Sequence, residues 1–109
     1  MVRPPHIEAE IEFVTTEAGG RSTPAFSGYR PQFYYHGMDW DAEHMYPETE
    51  EVAPGDTVVV RLRFLSPQKH LGNISVGVPF LVREGARTVA YGIVTRVFDQ
   101  LEADAADSG

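Results

Sequence analysis

Short stretches of alternating apolar and polar residues are the main pattern along this chain. Over residues 7–13 every second residue is apolar, and the three residues between them are glutamates. A second alternation, over residues 57–65, places Arg61 and Arg63 opposite a face of apolar side chains. Successive side chains of a β-strand point to opposite faces of a sheet, so both stretches are predicted as strands with one buried face.

Further short strands and turns complete this pattern. The aromatic segment 32–35 and the segments 80–83 and 88–98 are also predicted as strands. Residues 84–87 form the turn between the last two, and Gly85 at its first central position favours a type II′ hairpin. No stretch combines a sustained helical period with capping residues, so the expected fold class is all-β, either a sandwich or a small barrel.

The two ends of the chain differ from the strands. Residues 1–5 are a short leader that lacks the apolar stretch of a signal peptide. Residues 99–109 are small, polar and acidic, and they are predicted to form a disordered tail. All apolar runs are shorter than the ~18 residues that a membrane-spanning helix needs, so a cytoplasmic protein without a membrane partner is expected.

The charge of the chain is strongly negative but unevenly distributed. Sixteen acidic and nine basic residues give a net charge of −7. Seven of the acids lie in residues 39–56 and four in residues 99–109, and neither segment contains Lys or Arg. The remainder is net positive, and a shared outer face of Arg61, Arg63 and Arg96 would suit an anionic partner.

Several kinds of reactive site are excluded by composition and motif. The chain has no cysteine, which rules out disulfides, thiol nucleophiles and thiolate metal sites. It has neither a Gly-x-x-x-x-Gly-Lys-Ser/Thr phosphate-binding loop nor a nucleophile elbow, so GTP binding is not expected. We therefore expect no enzymatic activity, no cofactor and no metal.

Side chains that could bind a metal are concentrated in one segment. His36, Asp39, Asp41, Glu43 and His44 lie close together in the sequence. Imidazoles and carboxylates together would suit a hard or borderline metal ion. Their spacing matches no known ligand motif, so a solvated acidic loop is predicted instead of a metal site.

Two aromatic residues of the same acidic segment are candidate anchors for a protein partner. Trp40 and Tyr46 would serve in this way if their rings are exposed, because exposed aromatic side chains contribute strongly to protein interfaces. The alternative, which the sequence favours, is that both rings are buried at one end of the fold.

Four motifs in a fixed order carry a more specific resemblance. They are EAGGRSTPAF leading into GYRPQFY at 17–34, PGD at 54–56, REGARTV at 83–89 and GIVT at 92–95. In this order and spacing they resemble the C-terminal β-barrel, or third domain, of bacterial elongation factor Tu. The resemblance covers residues 6–98 and implies a six-stranded antiparallel β-barrel. In that factor the barrel contacts the GTPase domain, the exchange factor and the T-stem of aminoacyl-tRNA.

The resemblance also implies which residues contact a partner. The family's tRNA-contacting arginine matches Arg21, and its glutamine near the GTPase-domain interface matches Gln32. All positions assigned to partner or RNA binding by this match are Arg21, Arg30, Gln32, Glu84, Gly85 and Arg87. In these roles arginine would contact phosphate, and Gly85 would allow a sugar–phosphate backbone to approach closely.

Other positions depart from the family pattern. The departures are Ser22 for histidine, Asp41 and Ala42 for a Thr-Gly pair, Leu81 for a smaller residue, Ala86 for glycine, and a longer loop at 68–79. Because the carboxylate of Asp41 would repel a phosphate, the tRNA site is only partly kept.

The matched residues also have purely structural interpretations. Arg21 and Arg30 could pair with Glu17 or with loop carbonyls and so hold a turn in place. Glu84 and Arg87 could form an ion pair across the hairpin turn. In that case the motif would be kept for packing alone.

The sequence thus favours a non-catalytic module that recognises a protein partner, as a translation-linked adaptor or a mimic of the factor. Binding of tRNA or other structured RNA is the first alternative. The second is a docking subunit that completes a larger assembly, which an exposed apolar patch near residues 33–35 and Leu81 would favour.

Overall fold

The computed structural model describes residues 3–108, so Met1 and Val2 of the leader and Gly109 of the tail lie outside the described residues. Within this range there are eight strands, a 3-10 helix at Pro67–Lys69 and the helix α1 at Asp99–Ser108. The strands are β1 (Ile7–Phe13), β2 (Ala25–Phe26), β3 (Gln32–Tyr35), β4 (Met38–Met45), β5 (Glu51–Val52), β6 (Thr57–Phe64), β7 (Pro79–Glu84) and β8 (Arg87–Val97).

Six of these strands close into one barrel. Their order is β1-β6-β4-β3-β7-β8, with β8 pairing back onto β1, and every neighbouring pair is antiparallel. The short strands β2 and β5 pair with each other in a separate two-stranded sheet. The expected six-stranded antiparallel barrel is confirmed.

Strand β1 shows how the alternating sequence produces this barrel. It lies between β6 and β8, with its apolar side chains buried inside and Glu8, Glu10 and Glu12 on the outer surface. Strand β6 alternates in the same way, so that Leu62 is fully buried while Arg61 is exposed. Closure removes free strand edges, and each strand needs only one apolar face.

The centre of the barrel is a cluster of aromatic rings. The ring of Phe33 stacks on Phe80 at 4.1 Å and meets Phe64 edge-on at 5.0 Å. The space for Phe80 exists because residue 92 is glycine. A Cβ at that position would overlap the Phe80 ring and lie 2.7 Å from Cγ2 of Ile11.

Two tight hairpins use positive φ angles. At the β7–β8 turn Gly85 has φ +62°, whereas Ala86 is not among the described residues with positive φ, which fits the expected type II′ geometry. At the β3–β4 turn both His36 (φ +49°) and Gly37 (φ +81°) are positive, as a type I′ turn requires.

The prediction of a solvated acidic loop at residues 36–44 is wrong, because the segment that follows this turn is strand β4. Its carboxylates alternate with inward-facing residues, so that Ala42 and His44 are buried while Asp39 and Asp41 are exposed. The high acid content hid this alternation, since β propensity depends on whether one face can be buried.

The predicted disordered tail is also replaced by ordered structure, the helix α1. Leu101 and Ala105 are four residues apart, lie on one side of the helix and are buried. The helix packs against the 3-10 helix at Pro67–Lys69. A ten-residue polar helix is marginal alone, so these tertiary contacts explain why α1 is formed.

The long loop at 68–79 fills the same end of the barrel. Its His70 is fully buried and stacks on Phe64 at 3.9 Å. Nδ1 of His70 lies 2.7 Å from the hydroxyl of Tyr35, which joins the loop to β3. The additional loop residues thus contribute to the core and are not a flexible insertion.

Candidate functional site

A closely connected polar group at the β7–β8 turn is formed around Glu84. One oxygen of its carboxylate accepts hydrogen bonds from Nη1 of Arg21 and from the hydroxyl of Tyr29. The other oxygen accepts from Nη2 of Arg87 at 3.1 Å. Four segments of the chain are therefore joined at one carboxylate: the loop after β1, the segment before β3 and both sides of the β7–β8 turn.

The guanidinium of Arg21 is held on every side. Besides its bond to Glu84, it donates from Nε to the carbonyl of Thr23 at 3.2 Å and from Nη2 to the carbonyl of Pro24 at 3.3 Å. Its Cζ lies 4.5 Å from the centre of the Tyr29 ring. Arg21 therefore makes contacts of the kind that its structural interpretation requires, with Glu84 in place of Glu17 as the carboxylate partner.

The charges of this cluster shift the pKa values of its members. Burial alone would raise the pKa of Glu84, but the hydrogen bonds from Tyr29, Arg21 and Arg87 outweigh it and hold the pKa below its usual value. Burial and the neighbouring Glu84 raise the pKa of Tyr29, so its hydroxyl remains a donor. Glu84 thus pairs with Arg21 and Arg87, two of the arginines that the family match would direct at phosphate, and its charge offsets one of their two positive charges.

The paired glycines before Arg21 have a structural reason of their own. Gly19 has φ +99°, in the left-handed region that favours glycine. A Cβ on Gly20 would overlap the carbonyl of Val14 and lie 2.9 Å from the carbonyl oxygen of Thr15. The Gly-Gly-Arg motif is therefore required by the loop itself, whatever the loop binds.

The six sequence-predicted positions do not form one site. Arg21, Glu84, Gly85 and Arg87 come together at the β7–β8 turn, as described above. Arg30 is exposed in a different place, where it lines a groove of about 500 Å³ beside the α1 residue Asp104. Gln32 is half-buried on β3, where its strand partner on β7 is Arg83, the residue directly before Glu84.

The two predicted aromatic anchors are both turned towards the protein. Tyr46 is only 5% exposed, and its hydroxyl lies 3.0 Å from Nδ1 of His44. Trp40 is half-buried with its ring edge-on to His70 at 4.9 Å. Tyr46 therefore cannot anchor a partner at the surface, and for this residue the burial alternative is the one found.

The expected positive face of arginines is broken up by acids. Arg61 on β6 and Arg96 on β8 are both strand partners of Glu8, which lies between them. Arg63 instead forms an ion pair with Asp104 of α1 at 3.1 Å. Among residues 3–108 no group of three or more His, Cys, Asp or Glu side chains is arranged to hold a metal ion.

A row of apolar side chains on the outer surface is the feature that best fits a binding surface. Tyr34 on β3, Leu81 on β7 and Tyr91 on β8 are direct strand partners, and Tyr91 is 56% exposed. Pro79 and Ile93 form a second partnered pair beside them, with Ile93 45% exposed. A shallow groove of about 410 Å³ runs along this surface. We call these five residues the apolar row.

The sequence indicated only part of the apolar row. Leu81 and the nearby aromatic strand were expected near such a patch, whereas Tyr91 and Ile93 were not recognised. The available signal was in residues 89–94, where both alternating sets of side chains are apolar. A barrel strand that is apolar on both faces has more apolar surface than its core can bury.

A protein-family model described as the elongation factor Tu C-terminal domain matches residues 2–98. The chain belongs to the elongation factor Tu C-terminal domain family. The resemblance that the four motifs carry is thereby confirmed, and so is the association with translation factors. Helix α1 begins at Asp99, immediately after the matched residues.

Members of the elongation factor Tu C-terminal domain family are non-catalytic barrels, since the GTPase domain of the factor is separate. In this chain the hairpin at Glu84 and the Gly-Gly-Arg loop are paired with each other. Leu81, one of the departures from the family pattern that the sequence indicated, lies in the middle of the apolar row. Among the described residues, no helix is long and apolar enough to cross a membrane.

Proposed function

We propose that this barrel is a non-catalytic, translation-linked module that recognises a protein partner, and that the apolar row is its contact surface. The observation that supports this proposal is the line of Tyr34, Leu81 and Tyr91 across three neighbouring strands, in which Tyr91 is largely exposed and the other two are half-buried. Contiguous apolar surface that remains exposed in a folded domain is characteristic of protein interfaces.

The chemistry of the row suits a protein better than a small molecule. Its groove is open and shallow, and its most exposed member is a tyrosine with 56% of its surface accessible. Tyrosine is enriched among residues that dominate binding energy, because it buries a large ring and keeps a polar hydroxyl at the edge. Covering Tyr91 and Ile93 would remove apolar area from water that the fold leaves exposed.

The tRNA alternative has less support from the geometry. The guanidinium of Arg21 is already bound to Glu84, Thr23 and Pro24. The carboxylate of Asp41 is exposed on the neighbouring strand β4, where it would repel phosphate. With a net charge of −7, the chain also lacks the long-range attraction that nucleic-acid binding uses.

The docking-subunit alternative would use the same surface as the favoured proposal. In the family the glutamine that matches Gln32 lies near the GTPase domain, and Gln32 is on β3 two residues from Tyr34. The two interpretations therefore differ in the identity of the protein that covers the row. Both place the protein contact on β3, β7 and β8.

The test is capture of partners from RNase-treated extract of the source cells, with Tyr91→Asp as the disrupting variant. Retention of a specific protein is expected to fall roughly tenfold or more, as for loss of a central interface aromatic. Val76→Asp is the matched control, because Val76 is 66% exposed on a different segment.

Two results would contradict the proposal. One is equal loss of the retained protein in the Tyr91 and Val76 variants. The other is enrichment of RNA from extract that has not been treated with RNase, if Arg21→Glu abolishes this enrichment and Tyr91→Asp leaves it unchanged. That result would support the tRNA alternative.

A further inference from the structure

The apolar row ends in carboxylates on both sides. On one side Tyr34 is the strand partner of Asp39 on β4. On the other side Tyr91 is the partner of Glu12 on β1. The same outer line across the barrel therefore reads acid, three apolar residues, acid. This arrangement follows from strand order and register, since its members come from five different strands.

A second acidic residue borders the row on β1. Glu10 is the strand partner of Ile93, and both are exposed. Within residues 3–108 the side chains of Glu10 and Glu12 have neither an ion pair nor a hydrogen bond. Their charges are thus available to a molecule that covers the row.

The basic residue at the opposite border is already engaged. Arg83 has its Cζ 4.5 Å from the centre of the Tyr34 ring, and its Nε lies 3.8 Å from Oδ1 of Asp39. Arg83 therefore neutralises part of the β4 side only. The β1 side, with Glu10 and Glu12, keeps its full negative charge.

We infer that the partner is a basic protein surface, in which an apolar ridge is flanked by Lys or Arg side chains. This inference rests on the proposed function and specifies the chemistry of the partner. An apolar partner without cations would desolvate Glu10 and Glu12 without compensation, which is unfavourable. A partner with flanking cations would bury its ridge on Tyr91 and Ile93 and pair with both carboxylates.

The same charges argue against two other occupants of this face. A second copy of the chain would bring its own Glu10, Glu12 and Asp39 towards those of the first, and each copy has a net charge of −7. A polyanion such as RNA would meet carboxylates on both sides of the row. Like charges brought together in an interface suppress such pairings.

The test is selection of a random-peptide phage library on the immobilised full chain, followed by affinity measurement for the enriched peptides. Enriched peptides are expected to carry Lys or Arg next to aromatic or branched aliphatic residues. Their affinity should fall roughly threefold to tenfold in a Glu10→Gln/Glu12→Gln variant, and also between low and high salt. A Glu50→Gln/Glu51→Gln variant is the control, with the same charge change elsewhere on the surface.

The outcomes separate the inference from the proposed function. Peptides that need Tyr91 but are neutral or acidic, or that ignore the Glu10/Glu12 variant, would overturn the basic partner and leave the protein contact standing. If no enriched peptide loses its binding in the Tyr91→Asp variant, both the basic partner and the proposed protein contact are overturned. A dimer in light scattering that Tyr91→Asp dissociates would replace the basic partner with a second copy of the chain.

Discussion

At the scale of single residues, Glu84 holds several segments together because its carboxylate accepts hydrogen bonds from Arg21, Tyr29 and Arg87. We expect Glu84→Gln to lower the free energy of unfolding by about 1–2 kcal/mol, since charged hydrogen bonds are replaced by weaker ones while Arg21 and Tyr29 stay in place. Urea unfolding measures the change. Glu17→Gln is the control, and an equal effect of both variants would show that the Glu84 cluster does not support the fold.

A second residue-scale prediction concerns Gly92. We expect Gly92→Ala to destabilise the barrel by about 1–3 kcal/mol, because the new methyl group overlaps the Phe80 ring and crowds Ile11. Thermal unfolding measures the loss, with Thr95→Ala on the exposed side of the same strand as the control. An unchanged unfolding midpoint in Gly92→Ala would mean that the aromatic cluster rearranges freely.

At the scale of elements, helix α1 depends on contacts that the chain makes far from it. His6 is fully buried, and its Nδ1 accepts a hydrogen bond from the backbone N–H of Phe64 at 2.9 Å. The ring proton is therefore on Nε2, which donates to Oδ2 of Asp104 at 2.7 Å. This bond joins the start of the barrel to the middle of the helix.

We therefore expect Leu101→Ala to release α1 from the barrel. Removing a side chain that is 2% exposed should cost about 2–3 kcal/mol, and a short polar helix does not persist without docking. Amide hydrogen exchange would show faster exchange over 99–108 with little change in β6 and β8. Glu102→Ala, on the exposed side of the helix, should leave the exchange rates unchanged.

At the scale of the whole molecule, buried histidines make stability depend on pH. Burial lowers the pKa of His44 to about 3 and that of His70 to about 4. Burial also lowers the pKa of His6, against the opposing hydrogen bond to Asp104. In the unfolded chain these histidines have their ordinary pKa of about 6.5. Below that pH the unfolded chain therefore binds more protons than the folded chain does.

Stability is therefore expected to fall as pH decreases from about 6.5 towards 4, with each buried histidine contributing up to about 1.4 kcal/mol per pH unit. Urea midpoints between pH 7.5 and 4 measure this slope. His70→Phe, which keeps the stacking on Phe64, should reduce this slope. If stability depends on pH with the same slope in the wild type and in His70→Phe, buried His70 does not contribute to the pH dependence.

At the scale of the whole molecule, the sequence was sufficient to predict most of the fold but not the arrangement of the site. The alternations at 7–13 and 57–65 and the glycine at position 85 predicted two strands and one hairpin without any partner. Strand β4 and helix α1 were not predicted, because their polar composition is typical of loops and disordered tails. Each is stabilised by burying a few side chains, such as His44 and Leu101, against distant elements.

What the sequence alone determined is the family and the barrel, because local alternation, turn glycines and four ordered motifs are properties of neighbouring residues. The tertiary structure decided which charged side chains pair with each other and which aromatic rings are exposed. Arg21 pairs with Glu84, 63 residues away, and not with nearby Glu17. The line of Tyr34, Leu81 and Tyr91 exists only once strand order and register are set. Contacts between distant residues depend on register, and register is decided when the whole barrel closes.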